Sequence, residues 1–345
     1  MKNSIALFLI ILLLASCKKQ QAVRSPFKSV KVEVVYKDSS SIRAITFLDK
    51  NTLAFAGSNG LYGTYTLPTA VLRSNRMQFD SIAPEFRAIA HNTKDFFMMS
   101  VGSPALLYKT GTNGEMDLVY SEEGENVFYD AMAFWNSEEG IAVGDTSNGC
   151  LAILITRNGG ASWSRVACTN LPKAIEEEGA YAASNSNIVL LGDTTLVATT
   201  KRFLKSVDKG KTWTAIETPI KGTTDYHGMY SMDFYNASTG FVIGGDFAQP
   251  EGNAANKALT KDGGNTWQLV ADGKNPGYKS CVQFVPHSDG KELVSVGFNG
   301  INYSADQGHT WKTLSEEGFY TLRFLNDSIA YAAGKGRIAK LSFKQ

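Results

Sequence analysis

The pattern Ser/Thr-x-Asp/Asn-x-Gly-x-Thr/Ser-Trp occurs four times in this chain, at 156–163, 206–213, 260–267 and 304–311, and takes four of the five tryptophans. Each copy combines an acid or amide able to bond turn amides, a glycine free to take positive φ, and a large ring to bury. That is the chemistry of a folded-over hairpin tip. A chain that returns four times to one tight turn is built from repeated small units.

Short apolar runs ending in glycine recur at 52–57, 96–102, 140–144, 188–192, 240–245, 293–297 and 328–334. Their closing glycines fall at intervals of roughly 40 to 50 residues, the length of a four-stranded propeller blade. The runs are rich in Val, Ile and Phe and punctuated by Gly and Asn, which argues for strands and against a helical solenoid. Before most of them lies another strand with an aromatic near its end, at 42–47, 129–134, 230–234, 279–284 and 320–324. These read as the innermost strands, with the Gly-ended runs second. The repeated turns then join the outer two strands of blades three to six, and 110–114 stands as a remnant turn in blade two.

The last unit supplies only three strands before the sequence ends. Val30-Lys-Val-Glu-Val34 alternates with period two, as a half-buried strand does, and can serve as its fourth. The expectation is an all-β chain: a single domain over residues 30–345 forming a seven-bladed β-propeller of four-stranded blades, closed by an N-terminal strand.

The repeated turn resembles the Asp box of bacterial neuraminidase repeats, which lies between the outer strands of a propeller blade. The strand pattern, with Tyr230-Ser-Met-Asp-Phe234, Gly244-Gly-Asp-Phe247 and Asn275-Pro-Gly-Tyr-Lys279, also resembles photosystem II assembly and stability factor propellers and their non-photosynthetic bacterial relatives. The first resemblance implies the fold, because the same box decorates sialidases, assembly factors and carbohydrate binders alike. The second implies a non-catalytic binding or assembly module.

Residues 1–16 carry one lysine and an apolar run over 5–14, too short for a comfortable membrane span and suited to the core of a signal peptide. Leu14-Ala15-Ser16-Cys17 resembles a bacterial lipobox, which implies that Cys17 becomes a lipidated N-terminus. Residues 17–29 then form a polar tether to the domain. The expected location is the cell envelope, anchored by lipid and facing the periplasm or the cell surface at the outer membrane, as a monomer. The chain holds 34 basic and 33 acidic residues, a balance that argues against non-specific nucleic-acid binding.

Cys150 and Cys168 flank the 156–163 turn and are expected to face each other across that hairpin as a disulfide. Cys281, on an inner strand, reads as a small buried residue. The spacing Gly334-Lys-Gly336-Arg-Ile-Ala339 imitates a dinucleotide-binding loop, a point of interest because relatives are sometimes labelled oxidoreductases. The motif needs a helix to present its amides to pyrophosphate, and strand pattern follows instead. The four histidines make no paired metal spacing, so neither metal nor cofactor is expected.

In a propeller, the loops entering the inner strands and those joining second to third strands emerge on one face, around the channel mouth. Aligning the inner strands by their aromatics places Arg43, Arg87, Asp130, Tyr230 and Tyr320 at equivalent entries. Asp145, Asp193 and Asp246 follow second-strand glycines at the same rim, and the loop over 246–253 is long enough to overhang the opening. This ring is the candidate site for a protein or glycan partner. The sialidase resemblance implies an alternative, a glycoside hydrolase in which Arg43, Arg87 and Arg323 clamp a sugar carboxylate and Tyr320 is the nucleophile. No arginine here is followed by Ile-Pro, the pattern expected ahead of the first catalytic blade, and binding is the reading carried forward.

Overall fold

The computed structural model describes residues 24–111, 114–222 and 224–345. The signal segment, Cys17 and most of the tether therefore lie outside the described residues. The chain forms β1 (Ser29–Asp49), β2 (Thr52–Gly57), β3 (Leu61–Thr66) and β4 (Val71–Arg76), then β5 (Phe86–His91), β6 (Phe96–Ser100), β7 (Ala105–Thr110) and β8 (Met116–Glu122). Next come β9 (Tyr129–Phe134), β10 (Gly140–Ser147), β11 (Cys150–Thr156) and β12 (Ser164–Arg165), followed by β13 (Ile188–Leu191), β14 (Thr194–Ala198), β15 (Arg202–Ser206) and β16 (Thr214–Glu217). The remainder is β17 (His227–Phe234), β18 (Gly240–Asp246), β19 (Lys257–Thr260), β20 (Gln268–Leu269), β21 (Cys281–Phe284), β22 (Leu293–Gly297), β23 (Gly300–Ser304), β24 (Lys312–Ser315), β25 (Thr321–Phe324) and β26 (Ile329–Lys344).

Strands pair antiparallel with their sequence neighbours and radiate outward as propeller blades, with β1, β5, β9, β13, β17, β21 and β25 touching in turn around a central channel. The count of seven separate blades is corrected by the sheets, which number six: five of four strands and one of six, ordered β25-β26-β1-β2-β3-β4. Chain continuity is the cause. Strand β1 runs unbroken for 21 residues. Its first part pairs with β26, Val30 opposite Phe343, and its second part pairs with β2, Ile42 opposite Gly57. The two ends of the described chain are thereby joined inside a single hydrogen-bonded sheet, which leaves no open edge at the seam.

Middle strands are apolar on both faces, because each sheet is covered on both sides by its neighbours. All five residues of β6 are buried, whereas the outer strand β4 is mostly exposed. The core is accordingly divided into packets between adjacent sheets, such as Phe97, Phe134 and Trp163 between β6 and the β9–β12 sheet.

The four repeated turns share one bonding scheme, except that in 156–163 the Asn158 side-chain amide donates to the Ser162 hydroxyl. In 206–213 the Ser206 hydroxyl donates to Asp208 and accepts from the Gly210 amide, while Asp208 accepts from the Thr212 amide and hydroxyl. The glycine at the fifth position has positive φ in every copy. It also faces the neighbouring sheet: a Cβ on Gly160, Gly264 or Gly308 would fall 2.2–2.3 Å from Phe97, Leu196 or Phe241. Each turn is thus rolled onto the preceding sheet, and only glycine allows both the conformation and the approach. Trp163, Trp213 and Trp267 are buried beside their turns; Trp311 is only half-buried. Cys150 and Cys168 form a disulfide with a Cα–Cα distance of 5.5 Å. Cys168 lies in a 3-10 turn over Cys168–Asn170, because β12 ends at Arg165.

Candidate functional site

The loops entering the inner strands converge on a cavity of about 400 Å³ at one mouth of the channel. Strand β1 brings Arg43, β5 brings Arg87 and β17 brings Tyr230, while Tyr320 stands one residue before β25. These four were aligned from the sequence, and the fold brings them together. Tyr181, Tyr278, Phe247 and Phe298 complete the wall. They were missed as site residues, although Phe247 and Phe298 each follow the last residue of a second strand, β18 and β22, at equivalent places.

Arg43 is the electrostatic centre. Its guanidinium lies 4.0 Å from the centroid of the Tyr320 ring, and its closest protein acceptor is the Ala183 carbonyl at 3.5 Å. Its Nε has no partner among the described residues. Burial, and after it the Arg87 charge, pull its pKa below the ordinary arginine value. Arg87 is held by Glu85 at 2.5 Å, so that charge is partly answered. No acid lines the cavity itself.

The four aspartates do not form a rim beside these arginines. Asp130 is fully buried, and neither of its oxygens makes a well-formed hydrogen bond. Burial and the neighbouring Asp145 push its carboxyl well above the usual range, against the pull of Arg87. Asp145 accepts from the Ala180 amide at 2.8 Å, and burial raises its pKa to about 6. Asp246 is buried and spent on the Thr224 hydroxyl and the Ala248 amide.

Asp193 is misplaced by the alignment. Residues 188–191 read as a second strand, yet β13 is the innermost strand of its sheet, ordered β13-β14-β15-β16. Asp193 therefore sits in the β13–β14 hairpin with its side chain 71% exposed, bound to Lys209 of the 206–213 turn. Hairpins joining first to second strands point away from the mouth.

Ahead of β13, residues 180–187 cross the channel and close it. Asn185 donates to the Ile89 carbonyl of β5 and accepts from the Met132 amide of β9. Ser186 bonds Ser231 of β17, and Ser184 donates to the Ser280 carbonyl just before β21. Thr321 and Arg323 of β25 donate to the Ser184 carbonyl. The plug thus answers backbone groups of β5, β9 and β17, the last through the Met232 amide on the Ser186 carbonyl, and of Ser280 ahead of β21, while the side chains of Arg43 on β1 and of Thr321 and Arg323 on β25 bond the plug's own carbonyls. Ala and Ser fit the narrow bore, and Asn and Ser side chains satisfy backbone groups that no strand can reach. Tyr181, Ala182 and Ala183 of the plug form the floor of the mouth cavity.

Tyr181 stacks on Tyr230 with ring centroids 3.7 Å apart, and Tyr278 meets Tyr230 edge-on at 4.8 Å. Burial raises the phenol of Tyr181 to about 12 and pushes Tyr230 and Tyr278 up as well. The loop that carries Tyr278 is fixed by Lys257, whose ammonium donates to the Lys274 and Pro276 carbonyls, and by Asn256. Burial of that lysine lowers its pKa to about 8.

The clamp implied by the sialidase resemblance is not assembled. Arg323 lines the opposite mouth and spends its donors on the plug carbonyls of Ser184 and Asn185. The Tyr320 hydroxyl has no carboxylate bonded to it among the described residues. The glycine spacing at 334–339 forms a tight reversal within β26, with the Phe343 amide bonded to the Ser328 carbonyl and strand continuing to Lys344.

No protein-family model matches the chain, and no curated protein matches it in sequence. Solved structures do share its fold. The structure of YCF48 bound to D1 peptide is 13% identical with a TM-score of 0.65, over 92% of this chain and 98% of that one. YCF48 from Cyanidioschyzon merolae is 16% identical with a TM-score of 0.62, over 92% and 98%. The WD40 repeats of RRP9 align at 9% identity and a TM-score of 0.60, over 93% and 99%. Likeness at these identities establishes the propeller fold and nothing finer.

Proposed function

We propose that this protein is a non-catalytic binding module that captures an acidic segment of a partner protein at the Arg43–Arg87 mouth, as a monomer held to the cell envelope by lipid on Cys17. The observation that carries the reading is Arg43, a cation kept partly out of water with no acid bonded to it among the described residues, since Glu85, whose charge also reaches it, is paired with Arg87. Such an arrangement costs stability in the free protein and is relieved by an incoming carboxylate. The aspartates counted toward the rim are buried or turned away, so the mouth presents net positive charge. A structure of the same fold, YCF48, was solved with a D1 peptide, and for that reason a peptide is the class proposed here.

The test is capture of partners from solubilised membranes by the lipidated protein. Arg43→Ala with Arg87→Ala should abolish capture while leaving the circular dichroism spectrum intact, and Cys17→Ser should release the protein into the soluble fraction. Equal capture by the double variant rejects the reading. Turnover of an aryl sialoside that disappears in Tyr320→Phe would replace it with catalysis.

A further inference from the structure

Beside the arginine pocket lies a strip of aromatic surface that the capture of a carboxylate does not use. Phe247 is 43% exposed, Phe298 46% and Tyr226 51%. Tyr278 joins the two phenylalanines, with its ring 5.3 Å from Phe298 and 6.4 Å from Phe247, and Tyr226 packs 4.7 Å from Phe247. The rings thus pack on one another along one side and leave the other side to water. Contiguous exposed apolar surface of this kind marks a place where something binds.

Phe247, Phe298, Arg43 and Arg87 line the same cavity. Its volume, about 400 Å³, is far more than one carboxylate occupies, and the rest of the wall is Tyr, Phe and Ala. Only a ligand with an anionic end and a large apolar part answers both chemistries. Neighbouring residues of an extended segment are about 3.3 Å apart, so one short stretch can reach both parts of a cavity of this size.

We infer that the mouth is a bipartite peptide site, in which an Asp or Glu side chain meets Arg43 while an adjacent Phe, Tyr, Trp or Leu of the same segment packs on Phe247 and Phe298. The inference rests on the capture proposed above and specifies what is captured. Charge complementarity decides the acidic half, and the unpartnered rings decide the apolar half.

Random dodecapeptides displayed against the full chain test it. Enriched sequences are expected to carry an acid within two residues of a large apolar side chain. In fluorescence anisotropy, changing that acid to its amide, or that apolar residue to Ser, should weaken binding by about tenfold or more each, as hot-spot contacts do. Phe247→Ser with Phe298→Ser should match the loss from the peptide's apolar change and add nothing to it. Both rings are exposed, so these changes leave the fold in place. Peptides bound as tightly by the phenylalanine double variant, yet lost by Arg43→Ala with Arg87→Ala, would overturn the bipartite site and leave acid capture standing. No enrichment, enrichment indifferent to the arginines, or a glycan that holds the cavity against every peptide would defeat both.

Discussion

The Asn185 side chain bridges two inner strands at once, donating to the Ile89 carbonyl at 2.7 Å and accepting from the Met132 amide at 2.9 Å. Residues far apart in sequence are held by one amide in the middle of the channel. Asn185→Ala should therefore destabilise the protein by about 2 to 4 kcal/mol, since two inward-facing backbone groups lose their partners. Urea unfolding measures this, and a loss below about 0.5 kcal/mol would show that the plug is not a structural tie.

Arg43 is predicted to be a residue the fold does not need. Replacing it with Met removes a partly desolvated charge that faces Arg87, at the loss of the contact with Tyr320 and of the long bond to the Ala183 carbonyl. Arg43→Met should leave stability within about 1 kcal/mol of wild type, or raise it, while ending partner capture. A loss above about 2 kcal/mol in urea unfolding would make Arg43 structural instead.

The tryptophans of the repeated turns should differ in cost. Trp213 is buried and its indole donates to the Gly210 carbonyl, so Trp213→Ala is expected to cost about 3 to 5 kcal/mol. Trp311 makes the matching bond to Gly308 but is half-buried, and its removal should cost about 1 to 3 kcal/mol. Parallel thermal and urea melts would reveal whether the order is reversed.

Asp145 predicts a dependence of stability on pH. Its folded pKa, about 6, lies above its ordinary 3.8, so between these values the folded protein holds a proton that the unfolded chain has released. Stability from this group is full below pH 3.8 and declines as pH rises through about 6, by about 3 kcal/mol. Asp130 is shifted in the same direction. Asp145→Asn keeps an acceptor for the Ala180 amide and should remove the share of the slope that Asp145 contributes, leaving those of Asp130 and of Asp233, which burial also raises, to about 6. The difference between the two proteins, measured as urea midpoints from pH 4 to 7, separates it from carboxylates such as Asp208, lowered to about 2, which act below that window. Equal slopes would place the titration elsewhere.

Local chemistry alone was enough to reveal the repeated turns, the strand pattern and the proximity of Cys150 to Cys168, each of which follows from a turn that admits few residue types or from the period of a strand. The meeting of Arg43, Arg87, Tyr230 and Tyr320 was legible one step later, once that repeat pattern implied a propeller and its inner strands were aligned with one another. Other features were settled only when the ring closed. Residues 188–192 look like a second strand because Ile-Val-Leu-Leu, although only its first residue is buried, carries the same unbroken apolar signal as the fully buried second strands. Which neighbour a strand pairs with decided that β13 is innermost, and so turned Asp193 away from the mouth. The number of sheets was decided in the same manner, by the unbroken course of β1 from one sheet partner to the next. The plug is the clearest case: 180–187 reads as an ordinary polar loop of small residues, and its role exists only because inner strands distant in sequence leave backbone groups such as the Ile89 carbonyl and the Met132 amide around a space it is narrow enough to enter.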